Sequence, residues 1–535
     1  MVYKESRSPQ QPLALSIYEP PGQPIPVSTT LRLTMAELPS AVFNDSSADW
    51  TSAGGDSRDM DVNVAYIASG FHQVWMMAAT AFVFPIIPGL GLFYAGLCRR
   101  KSATTLLWQS MGVLGVISFQ WFFWGYSLAY AANANPFIGT LTNFGMKNVV
   151  SVAIGYLPEP LFALYQCMFA MCTVMIMIGG AFERARLLPS MIFAFFWATI
   201  VYCPIVCWTW NAQGWLFNLP ALDFAGGGPV HISSGTGALA YALIIGKRLE
   251  HNDPKRRFPK YVPHNPTLIF IGTWMIWFGW FGFNGGSTLN ASVRTSYVLQ
   301  NTNLAAATGV MGWSALDYLF YRGRFSVVGA CQGCIAGLVA ITPAAGYVPV
   351  YFAALIGFLG AVGVRLCDNI NNWLRVDEGM EVFKLHAIGG IIGALLTGLF
   401  AADWVSLLDG ATVASGWVDH NYIQLGYQLA EVCAIVGYTF VVSVVLLLII
   451  DHIPGLKFRV PENQEIEGLD KHLLFEEGMG DYELAEALRA AGYLNSGGML
   501  VSDGITGIEL PAPSTSSAEE SKDKAAEASG QITSD

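Results

Sequence analysis

Charge is what this sequence has least of. Of its 535 residues only 13% are Asp, Glu, Lys or Arg, while 53% are apolar and mean hydropathy is +0.44. A soluble domain carries about twice that charged fraction, so a soluble enzyme or binding module is excluded. No basic stripe interleaves with aromatics, which removes a nucleic-acid partner. Neither HxxxH nor HExxH occurs, so a metal would have to find further ligands elsewhere; no cofactor is expected, and no enzymatic activity. The nine cysteines are scattered and form no disulfide framework. Cys331 and Cys334 make a CxxC, but no second ligand pair lies nearby, and small-residue helix packing accounts for them. The first 62 residues hold no uninterrupted apolar stretch of the kind a cleavable signal peptide needs.

What is present is a series of apolar windows long enough to cross ~30 Å of hydrocarbon. The chain reads as an all-α polytopic membrane protein with eleven spans, at 70–97, 104–131, 160–182, 189–210, 229–246, 267–285, 299–321, 326–345, 348–373, 380–402 and 424–450. Basic residues in the short loops set the orientation. One alternating set holds fourteen, among them Arg99, Arg184, Lys247, Lys255, Arg256, Arg257, Lys260, Arg322 and Arg375; the other holds only Lys147 and Arg294. This bias puts the N-terminus outside and the C-terminus in the cytosol. Formal net charge is −11, but from His452 onward there are 6 Lys or Arg and 16 Asp or Glu, so the tail alone supplies 6 − 16 = −10. The membrane body is close to neutral, and the acidic balance says nothing about a transported species.

Eleven spans divide as five, five and one, and an odd-numbered repeat enters the membrane in the opposite sense the second time. Four regions follow: an extracellular tail over 1–66, a membrane domain over 67–451, a cytosolic regulatory segment over 452–506 and a disordered tail over 507–535. Within the membrane domain the repeats cover about 70–246 and 267–402. Residues 457–470 leave the last span as a charged strip, and Asp481 to Leu494 has the spacing of a short amphipathic helix. Asn44-Asp45-Ser46 is a glycosylation sequon, so Asn44 is a candidate site if that end is extracellular.

His231 and His386 carry the chemistry. They fall in the fifth and tenth spans, and each follows a carboxylate by eight positions, Asp223 and Glu378. Histidine is expensive in hydrocarbon and faces a bundle interior or an internal path. The bland reading of either one is a hydrogen bond to a neighbouring helix. Two at repeat-related positions, beside glycines that allow close helix approach, point instead to a shared proton-handling site, because an imidazole can take a proton on one nitrogen and release it from the other. Asp223 reads as an N-terminal cap fixing where His231 points, or else as an attraction for cations. Trp210 reads as an interfacial anchor or as one wall of a cation site. In GWFGFNGGS at 279–287, the hydroxyl of Ser287 lies one helical turn from Phe283.

Taken together, PGLGLFYAGL at 88–97, FWGYSLAY at 123–130, DFAGGGPVHI at 223–232, GWFGFNGGS at 279–287, FKLHAIGG at 383–390 and RVPENQEIEGLD at 459–470 resemble the ammonium transporter/methylammonium permease/Rh family, particularly its fungal permeases. The resemblance implies a homotrimer in the plasma membrane, each protomer with its own pore for ammonium or methylammonium. By motif position, Trp210, Phe169 and Ser287, with Tyr165 beside them, resemble the external recruitment site. Phe169 and Phe283 resemble a stacked gate, Phe93 and Trp280 the pore wall, and His231 and His386 the twin histidines of a proton relay. Tyr165 stands where Phe is common and adds a hydroxyl to the vestibule. Glu378 and Glu381 replace aspartates, and Lys384 occupies a place normally small or neutral, where it would repel an exiting cation if it faced the inner mouth. Some fungal relatives carry Glu at the first histidine; its retention here is similar to the branch associated with high affinity and nitrogen sensing.

The implied mechanism is recruitment of NH4+, deprotonation, passage of NH3 and separate transfer of the proton. Its alternatives are passive NH3 conduction, a sensor acting through signalling partners or a kinase at the tail (Ser514, Thr515, Ser516 and Ser517 being candidate phosphorylation sites), and an intramembrane metalloenzyme.

Overall fold

A computed structural model describes residues 70–150, 153–154, 156–249 and 263–475. Asn44, the basic residues Lys255, Arg256, Arg257 and Lys260, the segment Asp481 to Leu494 and the Ser514–Ser517 cluster lie outside the described residues.

Eleven long helical segments run through the described residues. They are α1 Gly70–Leu97, α2 Arg100–Tyr130, α3 Glu159–Ala181, α4 Leu187–Asn218, α5 over residues 227–245, α6 Pro266–Gly286, α7 Val293–Phe320, α8 Val327–Ile341, α9 Val350–Leu366, α10 Phe383–Phe400 and α11 Gln424–His452. Seven of them (α1–α4, α6, α10 and α11) are long and apolar enough to cross a membrane, and α8 and α9 are shorter apolar helices. The strands among the described residues are a two-residue antiparallel pair, Ala153–Ile154 with Leu157–Pro158, just before α3. The protein is an all-α multi-helix membrane protein.

Local chemistry sets the helix ends. α3 starts on Pro158 with Pro160 in its first turn, where the missing N–H is harmless. Asn265 Oδ1 accepts from the backbone of Thr267 and Leu268 and starts α6. Ser292 and Thr295 form a reciprocal capping box that starts α7 at Val293, six residues before the expected edge. α8 closes at Ile341, four residues earlier than expected, because Pro343 cannot continue the ladder. In the turn that follows, the carbonyls of Ala345 and Val348 are taken by the Asn301 side chain, at 2.9 Å each.

α3 is the hub, with 89% of its apolar window buried, against 33% for α11 and 39% for α2. Large apolar side chains left on the periphery, such as Met111, Trp274, Met311, Leu319 and Val441, suit a surface solvated by lipid or by neighbouring protein rather than by water.

The two histidine helices begin alike. α5 opens with a π-turn, Gly227–Ile232, which contains His231; α10 opens with another, Phe383–Ile388, which contains His386. A π-turn widens the helix locally and is found mostly at functional sites. Each also has a buried carboxylate before it. Asp223 accepts from the backbone N–H of Gly226, Gly227 and Gly228 (2.7, 2.7 and 2.6 Å). Glu378 accepts from Met380 and Phe383 (3.0 and 3.2 Å). Burial pushes the Glu378 carboxyl up to about 7.

At the opposite ends of these helices from Asp223, residues 458–473 are strapped along the first half. Arg186 N donates to Phe458 O and Val460 N to Arg184 O, at 2.8 and 3.0 Å. Leu249 N donates to Glu465 at 2.8 Å, and Asp470 caps the backbone of Thr104 and Thr105 at 3.0 and 2.7 Å. The charged strip is therefore docked structure.

Candidate functional site

The four helices α3, α4, α5 and α6 bring a file of rings together. Trp210, near the end of α4, is half-buried. Its indole N–H donates to the Asp223 carbonyl at 3.0 Å, so it is tied to the loop that caps α5. The edge of Trp210 meets Phe169 of α3, with centroids 6.0 Å apart at 82°. Phe169 stacks on Phe283 of α6 at 4.0 Å and 22°. Beyond Phe283 come Trp280, at 5.0 Å, and His231, at 6.1 Å. Trp280 lies flat on the His231 ring (5.4 Å, 9°) and is fixed there by its own hydrogen bond to Thr342, at 3.0 Å.

His231 and His386 then meet through their δ nitrogens, Nδ1 to Nδ1 at 3.2 Å. Both are buried, at 0% and 3% exposure. Of two facing nitrogens, one must carry hydrogen and the other a lone pair, so the tautomers are complementary. The ε nitrogens are left at the two ends of the pair, and that of His231 has no hydrogen-bond partner. Among the described residues no three His, Cys, Asp or Glu side chains converge as metal ligands would.

The Tyr165 ring joins the file beside Phe169, with centroids 4.9 Å apart, while its hydroxyl is bound elsewhere. Tyr165 is fully buried; its hydroxyl donates to the Phe283 carbonyl at 2.7 Å and lies 3.0 Å from that of Gly282 and 3.3 Å from Ser287 Oγ. The hydroxyl expected in the vestibule instead ties α3 to the end of α6. Ser287 Oγ likewise donates to Phe283 O at 2.8 Å. Phe93 is buried in α1 and meets Tyr94 edge-on at 6.0 Å, while its backbone lies against Gly272 of α6.

Lys384 does not stand as a free cation at the inner mouth. It is 1% exposed, with Nζ 2.7 Å from Asp368 and 2.6 Å from Glu381, and it lies 5.3 Å over the Trp313 ring. Arg365 pairs with Asp317 and Asp368 on the other side of that cluster, and Gln332 donates to Glu381. The Lys384 charge is neutralised by two neighbouring carboxylates, Asp368, shared with Arg365, and Glu381, shared with Gln332. A cavity of about 380 Å³ opens beside this network, with Asp317, Gln332, Arg365, Asp368, Glu378 and Glu381 on its wall.

Thr342, which holds Trp280, and the polar face of α11 formed by Gln424, Gln428 and Glu431 were not anticipated from the sequence. A signal for the second existed: three hydrogen-bonding side chains at i, i+4 and i+7 in an otherwise apolar helix share one face.

Comparison with known proteins bears on this geometry. A sequence model described as the Ammonium Transporter Family matches residues 74–478. Ammonium transporter MEP2 of Saccharomyces cerevisiae is 48% identical over 426 residues, covering 78% of this chain and 84% of that protein. Ammonium transporter 1 of Schizosaccharomyces pombe is 46% identical, covering 78% and 84%. The crystal structure of Candida albicans Mep2 superposes with a TM-score of 0.73 at 48% identity, covering 77% of this chain and 90% of that one.

Proposed function

Because the chain belongs to the ammonium transporter family, we propose that it moves ammonium across the plasma membrane by separating the proton from the nitrogen. Ammonium transport itself follows from family membership. The finer reading is that Trp210 and Ser287 draw NH4+ from outside, that it gives up its proton near the Phe169–Phe283 stack, and that NH3 passes beside the histidines. The released proton enters the pair at one ε nitrogen and leaves from the other, with the hydrogen between the two δ nitrogens shifting across as it passes. Net movement is one positive charge per ammonium.

The observation that supports this most is the direct Nδ1–Nδ1 contact at 3.2 Å between two buried rings from repeat-related π-turns. Uptake of labelled methylammonium into proteoliposomes should rise when an inside-negative potential is imposed. Passive NH3 conduction would leave uptake indifferent to voltage.

The orientation, with all eleven helices crossing, the N-terminus outside and the docked tail in the cytosol, rests on the loop bias of fourteen basic residues against two. A tag at the N-terminus should be labelled on intact cells and one at the C-terminus only after permeabilisation; the reverse pattern would invert the reading. Three copies per assembly are proposed from the resemblance alone.

A further inference from the structure

Gln424, Gln428 and Glu431 are each 0% exposed on α11. Gln424 Nε2 donates to Pro220 O and to Gln428 Oε1, at 2.9 and 3.1 Å. Gln428 in turn holds both backbone groups of Leu222, accepting from its N–H at 2.6 Å and donating to its carbonyl at 2.8 Å. It also donates to Glu431 Oε2 at 3.3 Å. The row therefore ends on a carboxyl whose Oε2 is an acceptor.

Its other oxygen, Oε1, has no donor directed at it. It faces Asp223 over the bare backbone of Gly228: a Cβ placed there would lie 2.7 Å from Glu431 Oε1 and 3.2 Å from Asp223 Oδ2. Asp223 is already fixed as an acceptor by three backbone N–H groups.

Among the described residues no cation forms an ion pair with either carboxyl. Arg294, from α7, is held by Asp409 at 3.2 Å and by Gly346 O at 2.9 Å, and it lies 5.2 and 5.4 Å over the rings of Phe224 and Tyr347. The Tyr347 hydroxyl and Asp409 complete the ionisable surroundings. Ile435 of α11 adds only apolar contact. Two carboxylates facing one another over a single glycine, out of water and without a paired cation, cannot both be charged.

We propose that Glu431 carries a proton on Oε1 and donates it to Asp223, so that the pair is a singly charged latch on the entrance end of α5. Glu431 is a positioning residue: it touches no substrate. What it holds is the Asp223 loop, whose carbonyl anchors Trp210 and whose Gly226 carbonyl accepts from the backbone of Val230 and His231 at 3.2 and 3.1 Å. Gly226 itself has φ +113°, a conformation the cap must hold in place. Loss of the proton would set two anions against each other and release the loop. The position of the proton stands on the contacts alone, whereas its effect on transport rests on the pore reading above.

Infrared spectra of the reconstituted full chain at neutral pH, wild type minus Glu431→Gln, should contain the carbonyl stretch of one protonated carboxylic acid. Glu431→Leu should lower methylammonium uptake by about tenfold or more, and Glu431→Gln, which keeps a neutral donor toward Asp223, should restore most of it. On raising the pH, wild-type uptake should fall through a limb that Glu431→Gln lacks, since an amide has no proton to give up. A spectrum without that band would place a charged carboxylate at 431 and overturn the proposal. The band together with wild-type uptake in Glu431→Leu, or with the same alkaline limb in Glu431→Gln, would overturn the latch while leaving the pore reading intact. Failure of wild-type uptake to respond to voltage would instead count against the pore reading and leave the proton where it is.

Discussion

Alanine at either histidine is expected to lower the ammonium-evoked current by about tenfold or more, or to surrender selectivity over potassium. The reason is geometric. The proton route requires a continuous line of nitrogens, and the link between its two halves is one Nδ1–Nδ1 contact of 3.2 Å. His231→Ala also removes the ring that Trp280 lies against, and His386→Ala leaves the δ nitrogen of His231 with nothing to face. Without the relay the charge must cross on nitrogen. Carrying it to mid-membrane takes at least ~2.5–3.5 kcal/mol by insertion scales, which is about a hundredfold in rate. If the vacated space fills with water, the current survives but potassium joins it. Currents from purified protein in proteoliposomes, with ammonium, methylammonium and potassium in turn, distinguish these outcomes. Full current with unchanged selectivity in both variants would remove the relay.

Gly235→Leu is expected to be as damaging without touching either ring. Gly235 lies one turn beyond His231 on α5, where a Cβ would run into the backbone nitrogen of Ala387 and sit 2.8 Å from its Cβ. Ala387 follows His386 directly. The first regular turn of α5 is therefore pressed against the π-turn of α10 beside the meeting of the histidines, and a side chain here has only helix separation as relief. Over-packing of this kind costs about 1–3 kcal/mol, and separation lengthens the 3.2 Å contact on which proton transfer depends. Gly235→Leu should lower the thermal midpoint in detergent and reduce methylammonium uptake about tenfold or more. Wild-type uptake in a folded Gly235→Leu protein would mean that the close approach is not needed.

How much of this was legible in the sequence depends on which forces decide each feature. The helices were, because hydrophobic length is a long-range signal: the C-terminal edge of α1 was expected at 97 and is found there. Where edges moved, a short-range device moved them, such as the Ser292–Thr295 capping box or the Pro343 stop. The ring file was legible only through family resemblance. Aromatics and glycines at helical spacing do not say which faces converge, and Phe93 and Trp280 look alike in the sequence although only Trp280 lies on a histidine.

The π-turns were invisible, since six residues cannot distinguish a slightly wider helical period. Lys384 was misleading for a related reason. Its partners Asp368 and Glu381 come from a loop and from its own turn, and a charge in an apolar segment carries no mark of the neighbour that neutralises it. Tyr165 was read as a vestibule hydroxyl because its carbonyl partners on α6 are 117 and 118 positions away. Glu431 could have been found from its spacing with Gln424 and Gln428, but nothing in the sequence says that the face they share turns toward Asp223.

The claim on which the account turns is that the passage beside the histidines is too dry for an intact ion, so nitrogen and proton travel apart. Potassium tests it most directly, being close to ammonium in size but having no proton to lose. In wild-type proteoliposomes under the same driving force, ammonium should evoke a current and potassium about a hundredth of it or less. Potassium current comparable to that of ammonium would mean a hydrated column through the rings, and would contradict the account.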